Sequence, residues 1–70
     1  MTLRNAVEGQ EYIIQQIQTD DEELNAFLFS LGWYSGEPIT VVSRKKSNCV
    51  VSIKDSRYSI DNQLAEAIEV

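Results

Sequence analysis

The chain has no histidine, one cysteine and one proline among its 70 residues, and these shortages exclude several classes of site. Histidine is the side chain that most often acts as a general base near neutral pH, so that route to catalysis is missing. A zinc site made of cysteine and histidine is excluded because Cys49 is the only such residue. Cys49 also cannot form a disulfide within the chain, which is typical of a reducing compartment. We therefore expect no enzyme activity, no catalytic residues, no metal site and no cofactor.

Long apolar runs are also missing. No stretch approaches the roughly 18 apolar residues that cross a bilayer, and residues 1–5 lack the apolar region of a signal peptide. Gly32 and Gly36 flank a turn, but the Lys-Ser/Thr pair of a phosphate-binding loop does not follow them. We therefore expect a cytoplasmic protein with no direct membrane insertion, folded as a single domain over residues 1–70.

Negative charge predominates, with a formal net charge of −5. This balance makes nucleic acid an unfavourable partner, because phosphate binding requires a basic face. Positive charge is concentrated between residues 44 and 57, which carry +4, whereas the rest of the chain carries −9. The cations of this window are Arg44, Lys45, Lys46, Lys54 and Arg57. They either keep hairpin edges soluble or form a basic face for an acidic partner or an anionic membrane surface.

An apolar stripe with helical spacing follows a run of acidic residues. The stripe consists of Leu24, Phe27, Leu28 and Leu31. This spacing predicts an amphipathic helix, which Thr19 and Glu22 would begin as a capping box and Gly32 would end. The acids at 20–23 suit a helix N-terminus, and on a helix they fan around the axis instead of converging on a cation.

Strand patterns make up most of the remaining sequence. A period of two predicts strands over 11–17, 39–44, 49–54, 57–60 and 67–70, with a polar turn at 45–48. Asp55-Ser56 predicts a two-residue hairpin turn, and Asp61 predicts the cap of a short helical turn. The order predicts a mainly β fold: a small SH3-like, five-stranded barrel with one α-helix inserted between strands 1 and 2 and a short helical turn before the last strand. The apolar helix stripe would plug one end of this barrel.

Two consecutive aromatic residues, Trp33 and Tyr34, lie between the predicted helix and the next strand. They either cover the helix-to-strand turn or protrude as an anchor for a partner protein. Because two neighbours in one turn do not easily both face inward, we expect one of them to be exposed. Cys49 lies in an alternating strand and is predicted to be a small core residue.

The order and spacing of these features resemble the FeoA family of small ferrous iron transport proteins. The matching residues are Leu3, Gly9-Gln10, Leu28, Leu31-Gly32, Gly36, Ile39, Val41-Val42, the 49–53 strand, Tyr58-Ser59-Ile60, Ala65 and Ile68-Glu69-Val70. The resemblance covers nearly the whole chain. The chain differs in having Ser35 where proline is usual, a less basic helix and a short hairpin loop.

The resemblance implies a cytoplasmic accessory protein of bacterial ferrous iron uptake. Such a protein would dock on FeoB, a membrane transporter with a cytosolic GTP-binding domain, without catalytic residues and with transition metal binding only as a weak family-level property. The expected contact residues are Leu31, Trp33 and Tyr34 at the turn, with Arg44, Lys45 and Lys46 as an electrostatic rim. Weak self-association is a further expectation.

The main alternative is a stand-alone SH3-like interaction module related to the C-terminal domain of DtxR-type iron-dependent regulators. That interpretation predicts a DNA-binding helix-turn-helix before the barrel, and this sequence has none. A peptide-binding SH3 domain would need an aromatic-lined groove for proline-rich ligands. The aromatics at 12, 33, 34 and 58 are too few and too scattered to predict one.

Overall fold

All 70 residues are described by a computed structural model, which contains six strands, two α-helices and a short 3-10 helix. The strands are β1 (Glu11–Ile13), β2 (Gln16–Ile17), β3 (Pro38–Arg44), β4 (Asn48–Ile53), β5 (Ser56–Asp61) and β6 (Ile68–Glu69). The α-helices are α1 (Glu22–Ser30) and α2 (Asn62–Ala67), and the 3-10 helix is Leu3–Asn5. Neither α-helix has the length and apolar character that crossing a membrane would require.

The strands form two antiparallel sheets. One has four strands in the order β1-β3-β4-β5, and the other pairs β2 with β6. The register of β3 against β4 shifts between Val41 and Ser43, which marks a bulge that bends β3. The predicted SH3-like, mainly β fold is confirmed, with the helix before the long hairpin and a short helix before the last strand.

The first predicted strand is two strands because its halves have different partners. The β1 residue Tyr12 lies opposite Ile39, whereas the β2 residue Ile17 lies opposite Ile68. Between them, the Ile14 N–H donates to the Glu37 carbonyl and the Gln15 N–H donates to the Glu69 carbonyl. The chain therefore passes from one sheet to the other at these two residues, and the fold has six strands instead of five.

The turn between β4 and β5 lies one residue before the predicted one. Its two central residues are Lys54 and Asp55, with positive φ angles of 50° and 65°, and Ile53 pairs with Ser56 across it. Two positive φ angles are what a type I′ hairpin turn needs, and aspartate tolerates them better than most residues. The prediction of a turn at Asp55-Ser56 is therefore wrong by one position, and β5 is correspondingly longer than predicted.

The predicted capping box of α1 is wrong. Asp21 is the N-cap, and its Oδ1 accepts a hydrogen bond of 3.0 Å from the Leu24 N–H. Thr19 instead forms a turn before the helix, where its Oγ1 accepts from the Asp21 N–H. Asp61 caps α2 as predicted, accepting from the Leu64 N–H at 2.8 Å.

The core is formed by the inward faces of the strands together with buried residues of both α-helices, of the N-terminal segment and of the turn after α1. Its residues are Leu3, Ala6, Ile14, Leu28, Trp33, Ile39, Val41, Cys49, Val51, Ile53, Ile60, Ala65 and Ile68. Leu24 and Leu31 pack against this core, but Phe27 does not, since 59% of it is exposed. The predicted plug therefore consists of three leucines. Cys49 is a core residue as predicted, and burial raises the pKa of its thiol, with Arg44 opposing the shift.

The two ends of the chain lie side by side. Thr2 bridges to Glu69 in antiparallel fashion, and the Val70 N–H donates to the Met1 carbonyl at 3.0 Å. Together with the β2–β6 pair, these contacts join the first and last residues of the chain to one another.

Candidate functional site

The helix-to-strand turn is a tightly bonded segment. After α1 the Trp33 N–H donates to the Leu28 carbonyl at 2.9 Å, and the Gly32 N–H donates to the Phe29 carbonyl. Gly32 has a φ of +90°, which a residue with a side chain rarely adopts. Farther along, the Gly36 N–H donates to the Ile14 carbonyl. The side chains of this turn are therefore presented on a well-defined backbone.

Trp33 lies inside the molecule, with only 2% of it exposed. Its ring meets the Tyr58 ring edge to face at a centroid distance of 5.2 Å, and its Nε1 has no hydrogen-bond partner. Of the two predicted aromatics, Trp33 covers the core and Tyr34 is half-buried. Neither ring is exposed, so the expectation that one of the pair is exposed is wrong: Trp33 has no free surface of its own, and Tyr34 has only part of one.

Phe29 is the most exposed large apolar side chain of the molecule, at 66%. Its ring lies 5.0 Å from the Tyr34 ring. A shallow groove of about 770 Å³, called here the aromatic groove, lies next to this pair. The groove is lined by Phe29, Ser30, Leu31, Gly32, Tyr34, Ser35 and Lys54. Sequence reasoning missed Phe29, although an aromatic residue outside the apolar stripe of a helix was an available signal.

Lys54 is the cation of the aromatic groove. Its Nζ lies 5.8 Å from the Tyr34 ring centre and 3.2 Å from a carboxylate oxygen of Glu37. The hydrogen bond and charge of Glu37, followed by the charge of Tyr34, raise the pKa of Lys54. Gly32 makes room for this side chain, since a Cβ at that position would lie 2.5 Å from the Lys54 Cε. The lysine is therefore held charged beside exposed aromatic surface.

The predicted basic residues lie at the other end of the β3–β4 hairpin. The Arg44 Nη2 donates to the carbonyls of Leu3 and Ala6 at 2.6 and 2.9 Å, so its side chain holds the N-terminal turn. Lys45 and Lys46 are exposed in the hairpin loop. The seven residues of β3 span roughly 20 Å, so these cations do not form a rim around the turn.

No three side chains of the histidine, cysteine, aspartate and glutamate types come together in a way that could hold a metal ion. The residues present do not fit a transition metal centre, and what the aromatic groove offers is apolar surface with one cation. This chemistry suits contact with another protein.

Comparison with known proteins identifies one family model. The FeoA domain model matches residues 1–70. None of the curated proteins searched matches the chain.

Several solved structures share the fold. Stenotrophomonas maltophilia FeoA in complex with zinc, an SH3 domain protein, superposes with a TM-score of 0.86 at 19% identity, covering 100% of this chain and 88% of that one. Iron(II) transport protein A from Clostridium thermocellum superposes with a TM-score of 0.85 at 25% identity, covering 99% of this chain and 43% of that one. A manganese-dependent transcriptional repressor gives 0.84 at 18% identity over 97% of this chain. This chain spans only 39% of the repressor, which therefore contains much more than this fold.

Proposed function

Since the chain belongs to the FeoA domain family, an SH3-like accessory family of ferrous iron transport, we propose that it docks on the cytosolic side of an FeoB-like membrane transporter. The family match over all 70 residues carries this proposal. We further propose that residues 1–70 act as one domain in the cytoplasm, through protein contact and not through catalysis.

The aromatic groove is the proposed primary contact surface. An exposed phenylalanine beside a half-buried tyrosine is unfavourable in water, and aromatic residues are enriched where proteins bind one another. Phe29, Tyr34 and Leu31, which all line the groove, would receive an apolar side chain of the transporter. Trp33 supports this surface from the core side, because it packs beneath the turn that carries Tyr34.

Lys45 and Lys46 are the proposed electrostatic part of the contact. An interface of about 800 Å² per partner is roughly 30 Å across, so it can include both the groove and the hairpin loop. Exposed rim charges mainly accelerate association with an oppositely charged surface. Arg44 would contribute by holding the loop in place, since its guanidinium is bonded to backbone carbonyls.

Titration of the protein against the purified cytosolic domain of the FeoB-like transporter tests the proposal. We expect Phe29→Ala and Tyr34→Ala each to weaken binding about tenfold or more, as for interface hot spots. Phe27→Ala is the matched control: Phe27 is 59% exposed on the same helix but does not line the groove. Lys45→Glu with Lys46→Glu should lower the association rate and its salt dependence while leaving dissociation nearly unchanged. Absence of binding, or equal effects of the two phenylalanine variants, would contradict the proposed surface.

The second candidate is a stand-alone interaction module related to the C-terminal domain of DtxR-type regulators. The superposition on a manganese-dependent repressor, of which this fold is a 39% part, favours it. It predicts binding to the DNA-binding portion of an iron-dependent regulator and none to the transporter domain. The same titration with that portion as the ligand distinguishes the two candidates.

A further inference from the structure

The outer edge of β5 carries backbone groups that no other part of the molecule uses. β5 is the last strand of its sheet and pairs only with β4. Since Ser56 pairs with Ile53 across a two-residue turn, Ser56, Tyr58 and Ile60 bond to β4, and the N–H and C=O groups of Arg57 and Ser59 point outward. None of the backbone hydrogen bonds outside the helices and strands involves residues 56–61.

A groove of about 870 Å³, called here the acidic groove, runs beside the end of this edge. It separates Ser59 and Asp61 of β5 from the segment before α1, with α2 along its side. Its apolar surface includes Leu24 and Leu64, which are half-buried. The strand edge is therefore next to open, partly apolar space.

All the charged side chains that line the acidic groove are negative. The carboxylates of Asp20, Asp21, Asp61 and Glu66 line it, and no lysine or arginine does. Asp20 makes no hydrogen bond or ion pair, while Asp21 and Asp61 each use one oxygen as a helix cap. Glu66 reaches Arg4 at 3.7 Å, but both side chains are largely exposed, so solvent screens that pair.

We propose that β5 and the acidic groove bind an extended basic segment of another protein as an additional strand. Strand addition would satisfy the open groups of Arg57 and Ser59. Because side chains of a strand alternate, every second residue of the segment would face the groove. Lysine or arginine there would meet the carboxylates, and their aliphatic stems would cover Leu24 and Leu64. The aromatic groove is separate from this surface, so this proposal does not depend on docking to the transporter.

A second copy of this chain is a poor occupant of the same edge. Pairing β5 with β5 would bring two sets of the same carboxylates together, in a chain whose net charge is −5. Charge complementarity therefore favours a basic segment of a different protein.

NMR titration with an eight-residue peptide that alternates lysine and valine tests the proposal. We expect the amide signals of Arg57 and Ser59 to shift most, and the affinity to fall severalfold between 50 and about 200 mM salt. The same peptide with its alternate backbone amides methylated should bind at least tenfold more weakly, because it cannot pair with the strand. This comparison uses the unaltered protein, so folding of a variant does not enter into it.

Charge variants test the groove itself. Asp20→Asn with Glu66→Gln should weaken peptide binding severalfold. Glu11→Gln with Glu23→Gln removes the same charge from exposed positions outside the groove and should leave the affinity nearly unchanged.

Four outcomes would overturn the proposal. They are no shift at Arg57 and Ser59, equal binding of a glutamate-valine peptide, equal binding of the methylated peptide, and self-association of the protein through β5 without peptide.

Discussion

Trp33 shows how one residue connects the helix of this molecule to its sheet. Its backbone bonds to the end of α1, and its ring packs against Tyr58 of β5. The indole N–H is buried without an acceptor, which costs about 1–3 kcal/mol. Burial of the large apolar ring outweighs that cost, since aromatic rings dominate the packing energy of small cores. Trp33 therefore contributes to the stability of the fold beneath the candidate site, and it does not line the aromatic groove.

Two substitutions at Trp33 should distinguish the contribution of the ring to stability from the cost of its unpaired N–H group. We expect Trp33→Ala to lower the free energy of unfolding by about 3–5 kcal/mol, because it leaves a cavity between α1 and β5. Trp33→Phe should cost clearly less, since it keeps an apolar ring and removes the unpaired donor. Urea unfolding followed by far-ultraviolet circular dichroism measures both values without relying on tryptophan fluorescence. If both variants lost the same small amount of unfolding free energy, the ring would not be part of the core.

At the scale of the elements, the sequence predicts which helices and strands exist better than where they begin. The sequence predicts α1 because its apolar residues recur every three to four positions. It does not predict the first residue of the helix, because Thr19, Asp20 and Asp21 are all residue types that can act as an N-cap. Only the packed position of α1 selects Asp21. The position of the β4–β5 turn could not be predicted either. It depends on the register between the two strands, and a local sequence pattern does not specify that register. Phe27 lies at the border of the stripe, where a small rotation of the helix decides burial.

The cap of α1 gives a direct test at this scale. Asp21→Ala should lower the free energy of unfolding by about 0.5–2 kcal/mol, because the Leu24 N–H loses its acceptor. Asp20→Ala is the matched control, since Asp20 is an exposed neighbour that makes no hydrogen bond, and we expect a change within about 0.5 kcal/mol. Thermal unfolding of the two variants at one pH makes the comparison. A larger loss for Asp20→Ala would show that the helix begins one residue earlier.

At the scale of the whole molecule, the order of elements predicts the fold class but not which residues share a surface. The predicted contact residues of the turn and the basic residues are close in sequence, at 31–34 and 44–46, yet β3 carries them to opposite ends of a hairpin. Phe29 and Lys54 are distant in sequence, yet both line the aromatic groove. Such proximity follows from the pairing of distant strands and from tertiary packing. A single sequence shows neither of these.

The last strand joins the end of the chain to β2 and to the N-terminus. Ile68 is fully buried, β6 is the only partner of β2, and Val70 bonds to Met1. Deleting residues 68–70 should therefore abolish cooperative thermal unfolding, because it opens a domain that has one small core. A circular permutant with a short linker from Val70 to Met1 and new ends within the exposed 45–47 loop keeps β6 in place. We expect this control to unfold cooperatively, with only a modest loss of stability. Calorimetry of both proteins decides the matter: a cooperative transition in the deletion variant would show that the four-stranded sheet and α1 fold without the second sheet.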